Sequence, residues 1–130
     1  MIERDYIMRL IRQFMAAIAR FLDKKGQQND NEKIKELYET YFGDYTFFHA
    51  ATLDEVMESF QKYPEGERIY RIEMLAELYF READLRSEPL REEMLEKAFN
   101  LFSFVDRNSK TYSFERINKI NEIQTKRKKV

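Results

Sequence analysis

Apolar residues recur along this chain at intervals of three and four, the spacing that gathers side chains on one face of an α-helix. The first stripe, Tyr6, Ile7, Leu10, Ile11, Phe14, Ala17, Ile18, Phe21 and Leu22, predicts an amphipathic helix over residues 3–25, with Arg4, Arg9, Arg12, Gln13 and Arg20 on its other faces. A polar loop over 26–31 follows. Asn29 with Glu32 three residues on fits a capping box, and Ile34, Leu37, Tyr38, Tyr41 and Phe42 form a second stripe that stops at Gly43. Residues 44–51, rich in aromatics, are read as a single helical turn. Thr52 with Glu55 is another capping box, ahead of Leu53, Val56, Met57 and Phe60. That helix must close near Tyr63, because Pro64 disfavours helical geometry in the residue before it.

In the second half, Ile69, Ile72, Leu75, Ala76, Tyr79 and Ala83 mark a helix over about 67–84. Leu90, Met94, Leu95, Ala98, Leu101, Phe102 and Val105 mark another that runs to about 107, with Pro89 in its first turn. The short connection makes residues 67–107 a helical hairpin whose arms pack antiparallel. Ser113 is placed to cap a last helix carrying Phe114, Ile117, Ile120 and Ile123, while the polar run 124–130 lacks an apolar anchor and is expected to fray.

Composition supports helices throughout. Gly 3 and Pro 2 compare with about 15 of the two at average usage, which leaves few turns for a multistranded sheet. The fold expected for 130 residues is one all-α domain, 1–130, a helical array or irregular bundle of about five main helices. With Cys 0, disulfides, thiolate metal sites and thiol nucleophiles are excluded, and with His 1 any site needing two imidazoles is excluded. No apolar run approaches the roughly 18 residues of a membrane span, and acids sit inside the first apolar stripe, unlike a signal peptide, so a cytoplasmic protein is expected.

The net charge of −1 conceals a pattern. Residues 1–25 carry 6 bases and 3 acids, and 102–130 carry 8 bases and 3 acids; between them, 26–63 have 3 bases and 8 acids, and 64–101 have 6 bases and 10 acids. Basic end helices are therefore expected near the acidic central ones, and Lys126, Arg127, Lys128 and Lys129 are an alternative tail for phosphate-bearing partners. The run Ile7, Leu10, Phe14, Ala17 and Phe21 alternates in threes and fours, so a homodimer through residues 3–25 stays open.

Catalytic patterns are missing: there is no Gly-x-x-x-x-Gly-Lys, Gly-x-Gly-x-x-Gly or Gly-x-Ser-x-Gly. His49, set among Phe47, Phe48, Ala50 and Ala51, is expected to be partly buried with a structural hydrogen bond. Glu73 with Glu77 and Glu92 with Glu96 share helix faces as solvated charges, or in principle as a divalent-cation pair. The dimetal bundles need Glu-x-x-His, however, and Thr46 stands three residues before His49. No enzyme activity, cofactor or metal site is expected. The aromatics from Tyr38 to Phe48 are dense enough that some are expected at the surface, although the acidity there disfavours nucleic acid.

The opening Met1-Ile2-Glu3-Arg4-Asp5-Tyr6-Ile7-Met8-Arg9-Leu10-Ile11-Arg12-Gln13-Phe14, with Leu75-Ala76-Glu77-Leu78 and Tyr112-Ser113-Phe114-Glu115-Arg116-Ile117, resembles a family of short all-helical bacterial proteins classed as a domain of unknown function. That resemblance implies helices and no activity. The hairpin 67–107 is similar to a tetratricopeptide repeat through Ile72, Leu75, Ala76 and Tyr79 in its first helix and Ala98, Phe102 and Val105 in its second. Its linking stretch is about ten residues longer than the 34-residue repeat allows. The resemblance implies a peptide groove along Tyr70, Glu73, Glu77, Phe80 and Arg81, the residues outside the core stripe. A non-enzymatic protein-protein interaction or scaffold module with a protein or peptide partner is the function expected. The alternative is binding to nucleic acid or an anionic surface by Arg9, Arg12, Arg20, Arg116, Lys119 and Arg127 of the first and last helices.

Overall fold

In the computed structural model, the described residues are 2–22 and 30–128, with side chains described for 4–21 and 31–127. Among them no strand occurs, as the spacing predicts, and seven α-helices form where about five main ones were expected: α1 (Ile2–Leu22), α2 (Asp30–Tyr41), α3 (Tyr45–Ala50), α4 (Leu53–Ser59), α5 (Glu65–Ala83), α6 (Leu90–Asn108) and α7 (Phe114–Lys128), with a 3-10 turn at Phe60–Lys62. None of these helices is long and apolar enough to cross a membrane. Backbone contacts group the chain into two compact units, Met1–Tyr70 and Arg71–Val130, with α5 running through both. The expected end of the first helix at 23–25, the Asn29 cap and residues 129–130 lie outside the described residues.

In the first unit α1 packs on α2. Ile7, Phe14 and Ile18 are buried on one face of α1, and the Phe14 ring meets Tyr41 at 5.1 Å and Phe42 at 5.7 Å, both edge to face. Ile7 and Phe14, two residues of the proposed dimer seam, are thus already covered within the chain. The turn after α2 requires Gly43, whose φ of 141° is a region that L side chains rarely enter. There the Phe42 and Gly43 amides both donate to the Tyr38 carbonyl, at 2.8 and 2.9 Å. Asp44 caps α3 by accepting from the Thr46 amide at 3.3 Å. Tyr38, Phe42 and Phe48 are buried and Tyr41, Tyr45 and Phe47 half-buried, so the aromatic run expected to reach the surface is largely packed against itself.

The Thr52 capping box forms as the spacing predicts: the Thr52 amide donates to Glu55 Oε1 at 2.8 Å and the Glu55 amide to Thr52 Oγ1 at 3.2 Å. The amide and hydroxyl of Thr52 hold the Glu55 carboxyl below its ordinary value. The helix then ends at Ser59, four residues before Tyr63, because the chain tightens into the 3-10 turn ahead of Pro64.

The second unit consists of α5 from Arg71, α6 and α7. Every residue from 71 to 80 except Glu73 is buried, so this part of α5 is enclosed nearly all round and the single core stripe expected of it is too narrow. The α6 stripe of Met94, Leu95, Ala98, Leu101, Phe102 and Val105 is buried as expected. Pro89, which follows a cis peptide bond, stands just before α6 rather than inside its first turn. Helix α7 packs closely on α6, and the Arg116 amide donates to Ser113 Oγ at 3.2 Å, the expected cap. Residues 124–128, expected to fray, are helical in the structure, with Lys126 and Arg127 held by ion pairs instead of apolar contacts.

Candidate interaction surface

The five residues expected to line a groove on α5 are placed differently by the structure. Tyr70 is half-buried in the first unit. In the second, Glu73 and Arg81 are half-buried, and Glu77 and Phe80 are only 5% and 6% exposed. An open groove over Glu77 and Phe80 is corrected: α7 covers them. Arg116 NH1 donates to Glu73 Oε2 at 3.2 Å, Lys119 Nζ donates to Glu77 Oε1, and Lys126 Nζ lies 5.0 Å from the centre of the Phe80 ring while donating to Asp84 Oδ1 at 2.9 Å.

Those three ion pairs join residues 43, 42 and 42 positions apart, so α7 runs parallel to α5 in one register. Toward α6, Arg116 Nε reaches Asp106 Oδ1 at 3.1 Å, and Arg127 reaches Glu92 at 2.7 Å and Glu96 at 3.5 Å, which makes that pairing antiparallel. Burial lowers the affinity of the Lys126 ammonium for its proton, but the hydrogen bonds and charges of Asp84 and Glu122 outweigh it and leave its pKa above the ordinary lysine value. The acid pairs Glu73 with Glu77 and Glu92 with Glu96 receive side-chain cations of α7. Among the described residues no three His, Asp or Glu side chains are grouped to hold a metal ion.

Sequence reasoning missed a polar cluster centred on α5. Glu82 is fully buried and accepts from Arg86 Nε at 2.8 Å, an i,i+4 pair that was visible as spacing but not as depth. Lys97 Nζ sits 5.4 Å from the centre of the Tyr79 ring. Burial pushes the Tyr79 phenol well above its ordinary value, with the Glu82 charge adding to the effect. Burial pushes the Lys97 ammonium down, opposed by Glu93 and Glu82. His49 is half-buried, its Nδ1–H donating to the Tyr45 carbonyl at 2.8 Å and its ring packed on Tyr38 and Tyr45, a structural place as expected.

Among the described residues the most exposed large apolar side chains are Tyr112 and Phe114, at 69% and 72%, although Phe114 was expected in the core stripe of α7. Their rings meet edge to face at 5.0 Å. The turn that carries them is tightly bonded: the Thr111 amide donates to Ser109 Oγ at 3.1 Å, and the Ser109 amide to the Val105 carbonyl at 2.7 Å. Beneath it, Arg116 NH2 donates to the Thr111 carbonyl at 2.8 Å from a side chain only 3% exposed, which ties the turn to α5 and α6 through Glu73 and Asp106. Arg107 and Lys110 precede the pair in sequence and Glu115 follows it, all three exposed. On α1, Tyr6 and Met15 are also exposed, with Arg9, Arg12 and Arg20. The depression along α2, about 400 Å³ and lined by Glu32, Lys35, Glu36, Glu39 and Thr40, is open to solvent and offers no enclosure.

Comparison with protein families, curated proteins and solved structures finds no match to the chain. Neither resemblance drawn from the sequence therefore brings a residue role with it.

Proposed function

We propose that this chain is a non-enzymatic protein-interaction module whose contact surface is the turn between α6 and α7, not the face of α5. One observation carries the reading: two large aromatic side chains, 69% and 72% exposed, sit edge to face on a turn fixed by a buried arginine. Rigid, exposed aromatics are the residues that dominate the energetics of protein interfaces, because they bring large area at little loss of conformational freedom. Arg107 and Lys110, exposed shortly before them in sequence, suit a partner pocket with an acidic rim. The tetratricopeptide-like hairpin expected of α5 and α6 would serve this reading as the scaffold that carries the turn, not as a peptide groove. The setting proposed is the cytoplasm.

Affinity capture from cell lysate with the unaltered chain and a Tyr112→Ala, Phe114→Ala double variant tests it. The proteins retained by the unaltered chain should be lost on the variant while its circular dichroism is unchanged. Identical retention removes the turn from the interface.

A second reading, binding of nucleic acid or anionic surfaces, keeps support only on α1, where Arg9, Arg12 and Arg20 are exposed; Arg116, Lys119 and Arg127 are engaged with acids of the same unit. Salt-sensitive retention on duplex DNA, RNA or anionic vesicles that an Arg9→Ala, Arg12→Ala, Arg20→Ala variant abolishes would favour it. Absence of retention at low salt discards it.

A further inference from the structure

We propose that the turn between α6 and α7 meets the same turn of a second copy across a twofold axis, making the chain a weak, symmetric homodimer. The inference rests on the reading of that turn as a contact surface and names its occupant as the chain itself.

The placing of charge about the aromatic pair carries the choice. Lys110 stands two residues before Tyr112, Glu115 directly follows Phe114, and both are exposed. Arg107, in the last turn of α6, adds an exposed base on the Lys110 side. Asp106, the other exposed charge of this stretch, is already bonded to Arg116 Nε at 3.1 Å. The two rings thus have bases before them along the chain and an acid after them. A surface with charge of one sign repels its own copy. One with bases on one side of an apolar centre and an acid on the other meets itself with unlike charges, because a twofold axis sets the start of each segment against the end of the other. Lys110 of each copy then faces Glu115 of the other, with Tyr112 and Phe114 of both copies between them. The acid that Arg107 and Lys110 require of a partner is on the chain itself.

Area sets the strength of this dimer. A wholly covered Tyr or Phe buries about 150–250 Å², so at 69% and 72% exposure the four rings of two copies have roughly 400–700 Å² left to cover. That falls short of the roughly 1,200 Å² at which stable complexes begin, and the contact belongs to the transient class, populated at high micromolar concentration. It is helped by preorganisation. The Thr111 amide on Ser109 Oγ and Arg116 NH2 on the Thr111 carbonyl already fix the turn, so little freedom is lost when it docks. Helix α1 is a poorer seam, since its Ile7 and Phe14 are buried within the chain.

Sedimentation velocity of the full chain from about 10 μM to about 1 mM tests the proposal. The unaltered chain should pass from monomer toward dimer across that range, and a Tyr112→Ala, Phe114→Ala variant should stay monomeric with unchanged circular dichroism. Lys110→Glu and Glu115→Lys each set like charges against each other at both ends of the contact, so each variant should self-associate about three- to tenfold more weakly than the unaltered chain. Mixed in equal amounts, the two should form a heterodimer, because every facing pair of positions 110 and 115 is then of opposite sign. A chain still monomeric at about 1 mM, a dimer that survives loss of both rings, or a mixture no more associated than its components overturns the proposal. A monomeric chain whose lysate partners are nonetheless lost with the two rings would also overturn it, while leaving the turn as a contact surface for a different protein, so the two readings fail separately.

Discussion

Arg116 and its two acids offer an asymmetry that a stability measurement can resolve. The guanidinium is 3% exposed, whereas Glu73 and Asp106 are 33% and 38% exposed, so the cation is dehydrated and its partners are not. When Arg116→Met removes the cation, the acids and the Thr111 carbonyl of the exposed turn regain water, and the methionine keeps the apolar stem packed. The 3–5 kcal/mol of an orphaned buried charge is not reached, and losing charge-assisted bonds to partly hydrated partners places the cost at about 2 kcal/mol. Removing the acids instead, by Glu73→Ala with Asp106→Ala, leaves a buried guanidinium bonded only to a carbonyl, at a cost of about 3–5 kcal/mol. The two partly exposed acids should therefore matter more than the buried cation. Urea unfolding followed by circular dichroism, with slopes held equal, gives both differences. If Arg116→Met proves the more costly, or if the double variant falls within about 0.5 kcal/mol of the unaltered chain, the ion pairs do not hold α7 as described.

Three further outcomes are expected. Phe14→Ala, which empties a fully buried site between Tyr41 and Phe42, should cost about 3–5 kcal/mol in urea unfolding, and Phe14→Leu clearly less. Thr52→Ala removes one half of the capping box and should cost about 1 kcal/mol; because the depressed Glu55 carboxyl contributes above its ordinary pKa, the deficit should shrink as pH falls through the acid range. The buried Tyr79 phenol, its pKa raised by burial, should remain un-ionised in the folded chain as pH passes 10, so stability falls above that pH and Tyr79→Phe flattens the fall; phenolate absorbance during alkaline titration reads it.

Helix positions were legible because the chemistry that sets them is local. Threefold and fourfold apolar spacing, the Thr52 and Ser113 hydroxyls and Gly43 act within a few residues, and each stands where the spacing placed it. The fate of the α5 face was not legible, because Glu77 and Phe80 are covered by residues more than forty positions away. The charge blocks did hint at it: the acidic stretch 64–101 and the basic stretch 102–130 meet as α5, α6 and α7. Phe114 was misplaced for a geometric reason. It shares the spacing of Ile117 and Ile120, but it begins the helix, and an apolar side chain at a helix end is buried only when something lies beneath that end. The aromatic run from Tyr38 to Phe48 was misjudged in the opposite sense, since α1 supplies Phe14 to cover part of it.

The nearly constant offset between the ion-paired residues of α5 and α7, 43, 42 and 42 positions, also constrains how α7 itself can change in length. Inserting one residue inside α7, after Arg116, turns every later side chain by about 100° about the helix axis relative to Arg116, so that Lys119 and Lys126 cannot meet their acids while Arg116 keeps its own. A single-residue indel there should break the register, whereas the non-helical residues 109–113 can take up a change in length without turning α7.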